Sequence, residues 1–483
     1  MRYQFLFSLY MVSTSLVAQI SWGPTFEFPG NSPEGNFPKI EADGHSFPSV
    51  IWGERNNLYL STWDGNAFPE GQIMQPDSFK VAQAEWMGPD VAKRRDTIYL
   101  VFKEIPESDP NSHIWCMASF DNGLTFGPPA RVDFISDGLS RFPAVAIDKN
   151  GHPMVAFMRF DASFVDARWV VCRSEDYGVS FMPDVLASRW SDPEAEVCDC
   201  CPGELVVQGD NVAMIYRDNN ANIRDTWVGY STNGARSFDT GFDVDKQKWL
   251  ITYCPSTGPD GCFAGDTLFT TFMNATGGRN KVFYNQTNLN TLQNPGATFI
   301  GSSANFASQS FPRIASHDKA LVMGWVELIN GKAWLALTFT PDYEKVPLGD
   351  SIVFLEGENA GHLDLAINEE NIFLIWQDGR TKSLKYKVGS YEKIVSVLEF
   401  ADEKALKAYP NPTSDYWNID ISKIGIPEKV TLLDTKGDLV ENVLIDIIPP
   451  ATIICHGQNL KTGVYFLKFA HPSLTEIIRL IKL

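Results

Sequence analysis

Hydrophobic and polar positions alternate in one pattern that recurs between about residue 45 and residue 395. The repeats open with the pattern x-Pro-x-apolar, in which x is any residue, and continue as a short strand, a polar turn and a strand rich in aromatic and β-branched residues. The openings lie at residues 47–50, 88–91, 142–145, 201–204, 258–260 and 311–314, with a degenerate seventh at 362–365. No stretch shows sustained helical periodicity, so the body is predicted to be almost entirely β. Repeats spaced roughly 40 to 60 residues apart are what four-stranded β-propeller blades need, and seven blades are predicted, with six as the alternative.

Three of the repeats carry a second pattern after their third predicted strand, at residues 119–126, 174–181 and 231–238. The first copy contains Ser119, Asp121, Gly123, Thr125 and Phe126, and the second contains Ser174, Asp176, Gly178 and Phe181. In such a turn the Ser and Asp side chains cap backbone groups, and the glycine supplies a positive φ. The residues of this pattern are therefore expected to be structural.

The first copy matches in full the Asp-box, or BNR repeat, of sialidase-like β-propellers, Ser-x-Asp-x-Gly-x-Thr-aromatic. The second copy has Ser180 in place of Thr, and the third has Asn233 in place of Asp. The body of the chain thus resembles sialidase-like propellers. The resemblance implies the fold and leaves activity open, since Asp-boxes occur in both hydrolases and binding propellers.

The last 80 or so residues form a separate segment, predicted as a small β-sandwich over residues 398–483 because period-two apolar runs alternate with turns. Its marks are Tyr-Pro-Asn-Pro at 409–412, Asp-Thr-Lys-Gly at 434–437, Leu-Lys-Thr-Gly-Val-Tyr at 460–465, and basic Arg479 and Lys482 at the end. This resembles the C-terminal sorting domain of type IX secretion substrates of Bacteroidetes. The resemblance implies that the type IX machinery is a partner, and that the protein passes through the periplasm to the outer-membrane surface or the medium. An accessory domain such as a carbohydrate-binding module is the alternative.

The first 18 residues have the composition of a secretory signal peptide, with Arg2 before an apolar stretch from Phe5 to Val17 and Ala18 at the expected cleavage point. Residues 19–397 are then the propeller. No later segment is apolar enough over 18 residues to cross a membrane, so no membrane span is expected in the mature protein. We also expect a monomer.

The formal net charge of −19 disfavours nucleic acid as a partner, because such ligands need a basic surface. Acidic sugars stay open as ligands, since a local arginine cluster can override the average charge. Extracellular glycans are the ligand class that the resemblance favours.

The strand openings are predicted to bring polar side chains to one mouth of the central channel. These are Asp90, Arg141, Glu204, Asp260, Arg313 and His362. Sialidases hold the carboxylate of their substrate with three arginines and use a tyrosine nucleophile with a glutamate partner. The resemblance implies that Arg141, Arg217 and Arg313 clamp a carboxylate, with Tyr216 and Glu204 as the nucleophile pair and Asp90 as a further catalytic candidate. Each of these residues is otherwise a satisfied polar residue of the channel.

Five cysteines fall near the fourth and fifth openings, namely Cys198, Cys200, Cys201, Cys254 and Cys262. The run Cys-Asp-Cys-Cys-Pro at 198–202 resembles a subgroup of secreted bacterial sialidase-like propellers, for which it implies no reaction. Nearby cysteines pair as disulfides in an oxidising exterior. A thiolate site for copper or zinc is a second interpretation, although the spacing is not a familiar zinc pattern. Free thiols are the third.

Two charged turns complete the candidate ligand-binding residues. Arg217, Arg224 and Asp225 surround one strand turn beside the cysteines, where they form either an ion pair between blades or part of a ligand site. Trp376 and Asp378 make a turn in the last repeat, which suits either a sugar ring or packing. The sequence therefore favours a secreted propeller that recognises extracellular glycans or another surface ligand at the channel mouth. An exo-acting glycoside hydrolase of sialidase type, cleaving terminal acidic sugars, is the alternative.

Overall fold

The structure, a computed structural model, describes residues 20–30, 34–44, 46–84, 86–135, 138–301, 307–349, 352–355, 359–391, 406, 408–422, 425–434, 439–440, 443–448, 452–470 and 475–483. All regular elements in these ranges are β-strands, which confirms the all-β prediction. The predicted signal peptide lies outside the described residues. Among those residues there is no helix that combines the length and the apolar character needed to span a membrane. The chain divides into two compact units, residues 1–394 and 395–483.

In the first unit the described strands form seven antiparallel sheets that follow one another along the chain. Strand β1 is Ser21–Glu27, and the first sheet contains β2 Asn36–Glu41, β3 Ser49–Glu54, β4 Asn57–Thr62 and β5 Gln72–Ile73. The second contains β6 Asp90–Arg94, β7 Thr97–Lys103, β8 Ile114–Ser119 and β9 Ala130–Arg131, and the third contains β10 Leu139–Ile147, β11 Pro153–Phe160, β12 Arg168–Arg173 and β13 Val185–Leu186. The fourth contains β14 Glu196–Val197, β15 Glu204–Gln208, β16 Asn211–Asn219, β17 Thr226–Ser231 and β18 Thr240–Asp243.

The fifth sheet contains β19 Asp260–Ala264, β20 Thr267–Asn274, β21 Lys281–Asn288 and β22 Thr298–Ile300. The sixth contains β23 Ser308–His317, β24 Ala320–Ile329, β25 Lys332–Thr340 and β26 Val353–Leu355, and the seventh contains β27 Ala360–Ile367, β28 Asn371–Asp378 and β29 Leu384–Ser390. Strand β1 completes the seventh sheet by pairing with β29, from Ser21 opposite Ser390 to Glu27 opposite Lys385. The start of the body thus covers what would otherwise be an open sheet edge.

The seven sheets form a closed ring. Each innermost strand contacts the innermost strand of the next sheet, in the order β2, β6, β10, β15, β19, β23, β27 and back to β2. The second strands are buried on both faces, which explains their continuous apolar sequence. In β7, for example, Leu100 packs with Leu60 of the first sheet, whereas its neighbour Val101 packs with Val155 of the third. Alternating side chains of one strand therefore fill the spaces on its two sides.

The first repeat opens at a different place from the one predicted. The pattern at 47–50 precedes β3, a second strand, and the innermost strand is β2, which contains Phe37-Pro38-Lys39-Ile40. The prediction is wrong because first and second strands of a hairpin share the same apolar alternation. The openings of β2, β10 and β23 are alike, since Phe37, Phe142 and Phe311 all have a positive φ of 50° to 52° and the pairing register shifts there.

The three turns with the Ser-x-Asp pattern share one set of hydrogen bonds. In the first, the Ser119 hydroxyl accepts the backbone N–H of Gly123 at 2.9 Å and donates to Asp121 at 2.8 Å. The Asp121 carboxylate also accepts the N–H of Thr125 at 2.9 Å. The second turn repeats these bonds, and the third makes them with Asn233 in the aspartate position.

The second unit contains two antiparallel sheets in the residues that are described. One contains β30 Ala408–Tyr409, β31 Tyr416–Asp420, β33 Ile445–Ile448 and β34 Thr452–His456, and the other contains β32 Lys429–Leu433, β35 Gly463–Ala470 and β36 Thr475–Lys482. Both sheets contribute to one apolar cluster, in which Trp417 and Ile453 of the first sheet pack with Leu467 and Phe469 of the second.

Candidate functional site

The innermost strands enclose a cavity of about 520 Å³ on the axis of the ring. All seven of these strands line it, and it widens toward their ends, where Arg94, Lys149 and Gly209 are exposed. At the other end, where the strands begin, buried Phe37 and Phe142 and several prolines leave a cavity of only about 20 Å³. The channel is therefore open where the innermost strands end. The sequence analysis predicted the open mouth where these strands begin, and that prediction is wrong.

Six charged side chains meet between the two cavities, and we call them the charged ring. They are Lys39, Asp90, Glu204, Asp260, Arg313 and Asp364. Lys39 Nζ lies 3.2 Å from Glu204 Oε2 and 3.6 Å from Asp90 Oδ1. Arg313 Nε lies 3.5 Å from Asp364 Oδ1. Two cations thus hold carboxylates from several sheets in a largely buried place.

Three aspartates of the ring also connect neighbouring sheets. Asp90, Asp260 and Asp364 accept the backbone N–H groups of Val145, Ile314 and Ile40, at 2.8, 2.7 and 2.9 Å respectively. Each donor belongs to the innermost strand of the following sheet, and for Asp364 the following sheet is the first. These carboxylates therefore hold the ring together and satisfy backbone groups that have no partner within their own sheet.

Burial changes the protonation of the ring. It raises the pKa of Asp90 to about 6 and the pKa of Asp260 to about 7, although nearby Lys39 and Arg313 favour the charged forms. The pKa of Glu41, farther along β2, is raised well above its usual value by burial and by the surrounding carboxylates. Burial opposes a charge on Lys39, but Glu204 and Asp90 outweigh it and raise the Lys39 pKa. Asp90 and Asp260 are therefore expected to bind protons at higher pH than an ordinary aspartate does.

The structure does not bring the three predicted clamp arginines onto one ligand. Arg141 is paired with Glu107, at 2.8 and 3.1 Å, and lies over the ring of Phe142. Arg313 belongs to the charged ring. Arg217 is fully buried elsewhere, where it lies over Trp249 and donates to backbone carbonyls. Each guanidinium is already engaged, so a shared carboxylate has no place among them.

The predicted nucleophile pair is also separated. Tyr216 is buried in an apolar cluster with Trp169 and Met214, whereas Glu204 points into the charged ring. Burial raises the pKa of Tyr216 well above its usual value, which is the opposite of what a nucleophilic phenolate needs.

The remaining turn residues have structural partners. Trp376 is fully buried in an apolar cluster and cannot stack on a sugar. The Asp378 carboxylate accepts the N–H groups of Arg380 and Thr381 and the ammonium of Lys385, all at 2.8 Å. Burial opposes its charge, but these donors prevail and lower the pKa of Asp378 to about 2.

His362 is buried against the ring of Phe311, with 4.1 Å between the ring centroids. Burial and the charge of Arg313 lower the pKa of His362 to about 3, so it is neutral in this place. It therefore packs at the narrow end of the channel and does not reach the open cavity.

Arg224 and Asp225 do not form the ion pair that was one interpretation of the sequence. Asp225 accepts the N–H groups of Lys248 and Trp249, at 2.8 and 2.7 Å. Arg224 Nη1 instead lies 3.0 Å from Cys198 Sγ.

The cysteines divide into two places. Cys198, Cys200 and Cys201 have their sulfurs together, and exposed Cys254 lies beside Cys200. Cys262 instead lines the channel. The five therefore do not form one cluster.

Sequence reasoning missed Lys39, Glu41 and Asp364. The signal for Lys39 was present, because Phe37-Pro38-Lys39-Ile40 repeats the form of Phe311-Pro312-Arg313-Ile314. Asp364 stands at the same position of the seventh opening, but nothing local indicates that its partner is Ile40.

Residues 407–482 match a protein family described as the secretion system C-terminal sorting domain. This match bears out the resemblance of the last segment and indicates export by type IX secretion to the cell surface or the medium. No curated protein matches the sequence.

Among solved structures, the chain is similar to a protein of unknown function from Dyadobacter fermentans, at 10% identity and a TM-score of 0.48, over 77% of this chain and 99% of that one. It is also similar to an ulvan lyase, at 11% identity and a TM-score of 0.48, over 78% of this chain and 97% of that one. A third is the Hadza microbial sialidase Hz136, at 11% identity and a TM-score of 0.41, over 74% of this chain and 66% of that one. Similarity at this level does not indicate what this chain binds.

Proposed function

We propose that the protein is an exported seven-bladed β-propeller that binds an extracellular glycan, or another surface ligand, at the wide end of its channel without cleaving it. Seven sheets with innermost strands in a closed ring support the blade number. The two sheets of the second unit, packed on one apolar cluster, support a β-sandwich that serves as the sorting domain.

The charged ring is the observation that carries the proposal of binding without cleavage. A glycoside hydrolase needs two carboxyl groups that are free to act on the substrate. Here Asp90, Asp260 and Asp364 each hold a backbone N–H of the next sheet, and Glu204 is paired with Lys39. These acids stabilise the fold, and using one for proton transfer would break a contact between sheets.

The charge of the channel favours a neutral or cationic ligand. Its lining has more carboxyl than ammonium and guanidinium groups, so a sugar acid would be repelled from the charged ring at pH values above the raised pKa values of Asp90 and Asp260. At the wide end Lys149 and Gln208 present polar atoms to the cavity, together with Arg94 and Asp148. A cavity of this size with a few polar side chains suits a terminal sugar residue.

A glycan array probed with the secreted full-length protein tests the proposal. We expect binding to neutral glycans, with affinity at least about tenfold weaker for Lys149→Ala and Gln208→Ala, because each removes polar atoms at the wide end. Lys332→Ala is the matched control, since Lys332 is an exposed lysine of β25 away from the channel. Binding that is equal in all four proteins would place the ligand elsewhere and contradict the proposal.

A sialidase-type exo-hydrolase is the second candidate, and one observation favours it. The carboxylates of Asp90 and Glu204 come from different sheets and meet at Lys39 Nζ, and a hydrolase likewise brings two acids to one substrate. A fluorogenic sialoside distinguishes the candidates. Release of the fluorophore by the wild type that is lost in Glu204→Gln would support hydrolysis, and no release by the wild type would exclude this substrate.

A further inference from the structure

The sulfurs of Cys198, Cys200 and Cys201 form a compact triangle in the loop between β14 and β15. The Sγ–Sγ distances are 3.5 Å from Cys198 to Cys200, 3.5 Å from Cys198 to Cys201 and 4.0 Å from Cys200 to Cys201. A disulfide requires sulfurs at about 2.05 Å. The triangle is therefore too wide for any of the three covalent pairs as it stands.

The size of the triangle fits a tetrahedral metal ion. Zinc binds thiolate sulfur at about 2.3 Å, and two sulfurs on one tetrahedral ion are then roughly 3.8 Å apart. The centre of the observed triangle is about 2.1 Å from each sulfur, so an ion at the usual zinc distance lies just outside the plane of the sulfurs. That position leaves a fourth coordination site on the side of the ion away from the triangle.

Two further donors lie next to the triangle. Ligand atoms of Asp199 and Cys254 lie within 4.8 Å of each other and of the Cys200 sulfur. Cys254 is exposed and Cys200 is partly exposed, whereas Cys198 and Cys201 are buried. An ion can therefore reach the site from solvent on the side of Cys200.

A buried cation balances the charge of such a site. Arg224 Nη1 lies 3.0 Å from Cys198 Sγ, which is a charge-assisted contact to sulfur. Three thiolates and one divalent cation carry a net charge of −1, which the guanidinium of Arg224 neutralises. Arg217 also acts electrostatically on Cys198, so the local positive charge favours a cation bound by thiolates, and the choice of zinc rests on the size of the triangle.

The surrounding backbone fixes both the loop and the arginine. The N–H of Cys198 donates to the carbonyl of Arg217 at 2.9 Å, and Arg217 Nη1 donates to the carbonyl of Arg224 at 2.9 Å. The N–H of Arg224 donates to the carbonyl of Trp249 at 2.8 Å. The backbone at Cys198 and at its neighbouring cation Arg224 is thus held in place by hydrogen bonds, as a preorganised metal site requires.

We propose that Cys198, Cys200 and Cys201 bind a zinc ion, with Arg224 as a positioning residue that donates to the Cys198 thiolate. The site is separate from the channel, and its failure or success is independent of the proposed glycan binding. In an oxidising exterior, bound zinc would also protect the three thiols from disulfide formation.

Metal analysis of the secreted full-length protein, purified without chelator, is the first measurement. We expect one zinc per chain and a native mass higher by one zinc than the mass of the same protein after denaturation with chelator. After denaturation with chelator and without reductant, all eight cysteines should react with an alkylating reagent. Cobalt in place of zinc should give the sulfur-to-cobalt charge-transfer bands and the strong visible bands of a tetrahedral thiolate site.

Matched variants locate the site. Cys200→Ser should lose the zinc, and because Cys200 is partly exposed this variant is expected to fold even where Cys198→Ser does not. Cys262→Ser is the control, because this cysteine lines the channel, and it should keep one zinc. Arg224→Gln should retain zinc with an affinity about 10- to 100-fold weaker, as is typical when a partner of a metal ligand is removed.

Three results would overturn the proposal. The first is a protein that has no zinc, has fewer reactive thiols and has a disulfide mapped among residues 198, 200, 201 and 254. The cluster would then be a structural disulfide. Copper in place of zinc would contradict the ion proposed from the size of the triangle. Zinc that is retained by Cys200→Ser would place the ion at another site.

Discussion

The Asp364 carboxylate accepts the backbone N–H of Ile40 at 2.9 Å, although the two residues are 324 positions apart in sequence. This bond connects the innermost strand of the seventh sheet to that of the first. Together with the pairing of β1 with β29, it closes the ring of sheets. The same type of bond joins Asp90 to Val145 and Asp260 to Ile314. Three pairs of neighbouring sheets are therefore connected by a hydrogen bond from a backbone N–H to an aspartate carboxylate.

Removing the closing carboxylate should destabilise the propeller. Asp364→Ala leaves the Ile40 N–H without an acceptor and the buried Arg313 without its closest anion, so we expect the free energy of unfolding to fall by about 3 to 5 kcal/mol. Asp364→Asn keeps an acceptor oxygen and should lose less. Urea unfolding followed by tryptophan fluorescence measures both.

Asp210→Ala is the control for this prediction. Asp210 is half-exposed and pairs with Lys149 on the surface, where an ion pair contributes about 1 kcal/mol or less. Equal losses for Asp364→Ala and Asp210→Ala would mean that the bond to Ile40 does not stabilise the closed ring.

Stability should depend on pH through the buried aspartates. The pKa of Asp90 is raised to about 6 and that of Asp260 to about 7, from an ordinary 3.8. Between pH 3.8 and these raised pKa values, the folded protein binds protons that the unfolded chain does not. The free energy of unfolding therefore decreases as the pH rises through this range. Asp218, Asp243 and Asp245, whose pKa values are raised to about 7, 6 and 7, act in the same direction.

We therefore expect the melting temperature to fall from about pH 5 to about pH 8. In Asp260→Asn, which keeps an oxygen for the Ile314 N–H, the decrease should be smaller because one titrating group is gone. A melting temperature that is constant or increases over this range would contradict the assigned directions of these pKa shifts.

The Asp-box turn makes a prediction about local packing. Ser119 is buried, and its hydroxyl accepts the N–H of Gly123 while donating to Asp121. Ser119→Ala leaves that N–H without its acceptor, so we expect a loss of about 1 to 3 kcal/mol in the free energy of unfolding. Ser163→Ala, at an exposed loop serine, should change it little. Thermal unfolding of the two variants compares them, and a neutral Ser119→Ala would mean that the turn does not depend on this cap.

The sequence was informative about the strands because their signals are local. Apolar alternation and openings such as Phe311-Pro312-Arg313-Ile314 predict where a strand begins, and most of the predicted openings do begin innermost strands. The same alternation precedes β3, which is why the first opening was placed at residues 47–50. The closure of the ring by β1 could not be predicted, since its partner β29 lies more than 350 residues away and nothing in either strand specifies the other.

The candidate site was harder to predict, because the sequence prediction grouped arginines that stand at different positions of their openings. Arg141 precedes the Phe-Pro pair of its opening and pairs with Glu107 outside the channel, whereas Arg313 follows the Phe-Pro pair and enters the charged ring. The meeting of Cys198, Cys200 and Cys201 follows from their spacing of one to three residues. The approach of Arg224 to Cys198 depends on tertiary structure alone.

The most direct test of binding without cleavage uses the glycan that binds best on the array. Wild-type protein, Asp90→Asn and Glu204→Gln are incubated with that glycan, and released sugar is quantified alongside the bound fraction. We expect saturable binding and no sugar released by any of the three proteins. Sugar released by the wild type and lost in Asp90→Asn or Glu204→Gln would contradict this function and make the charged ring a catalytic site.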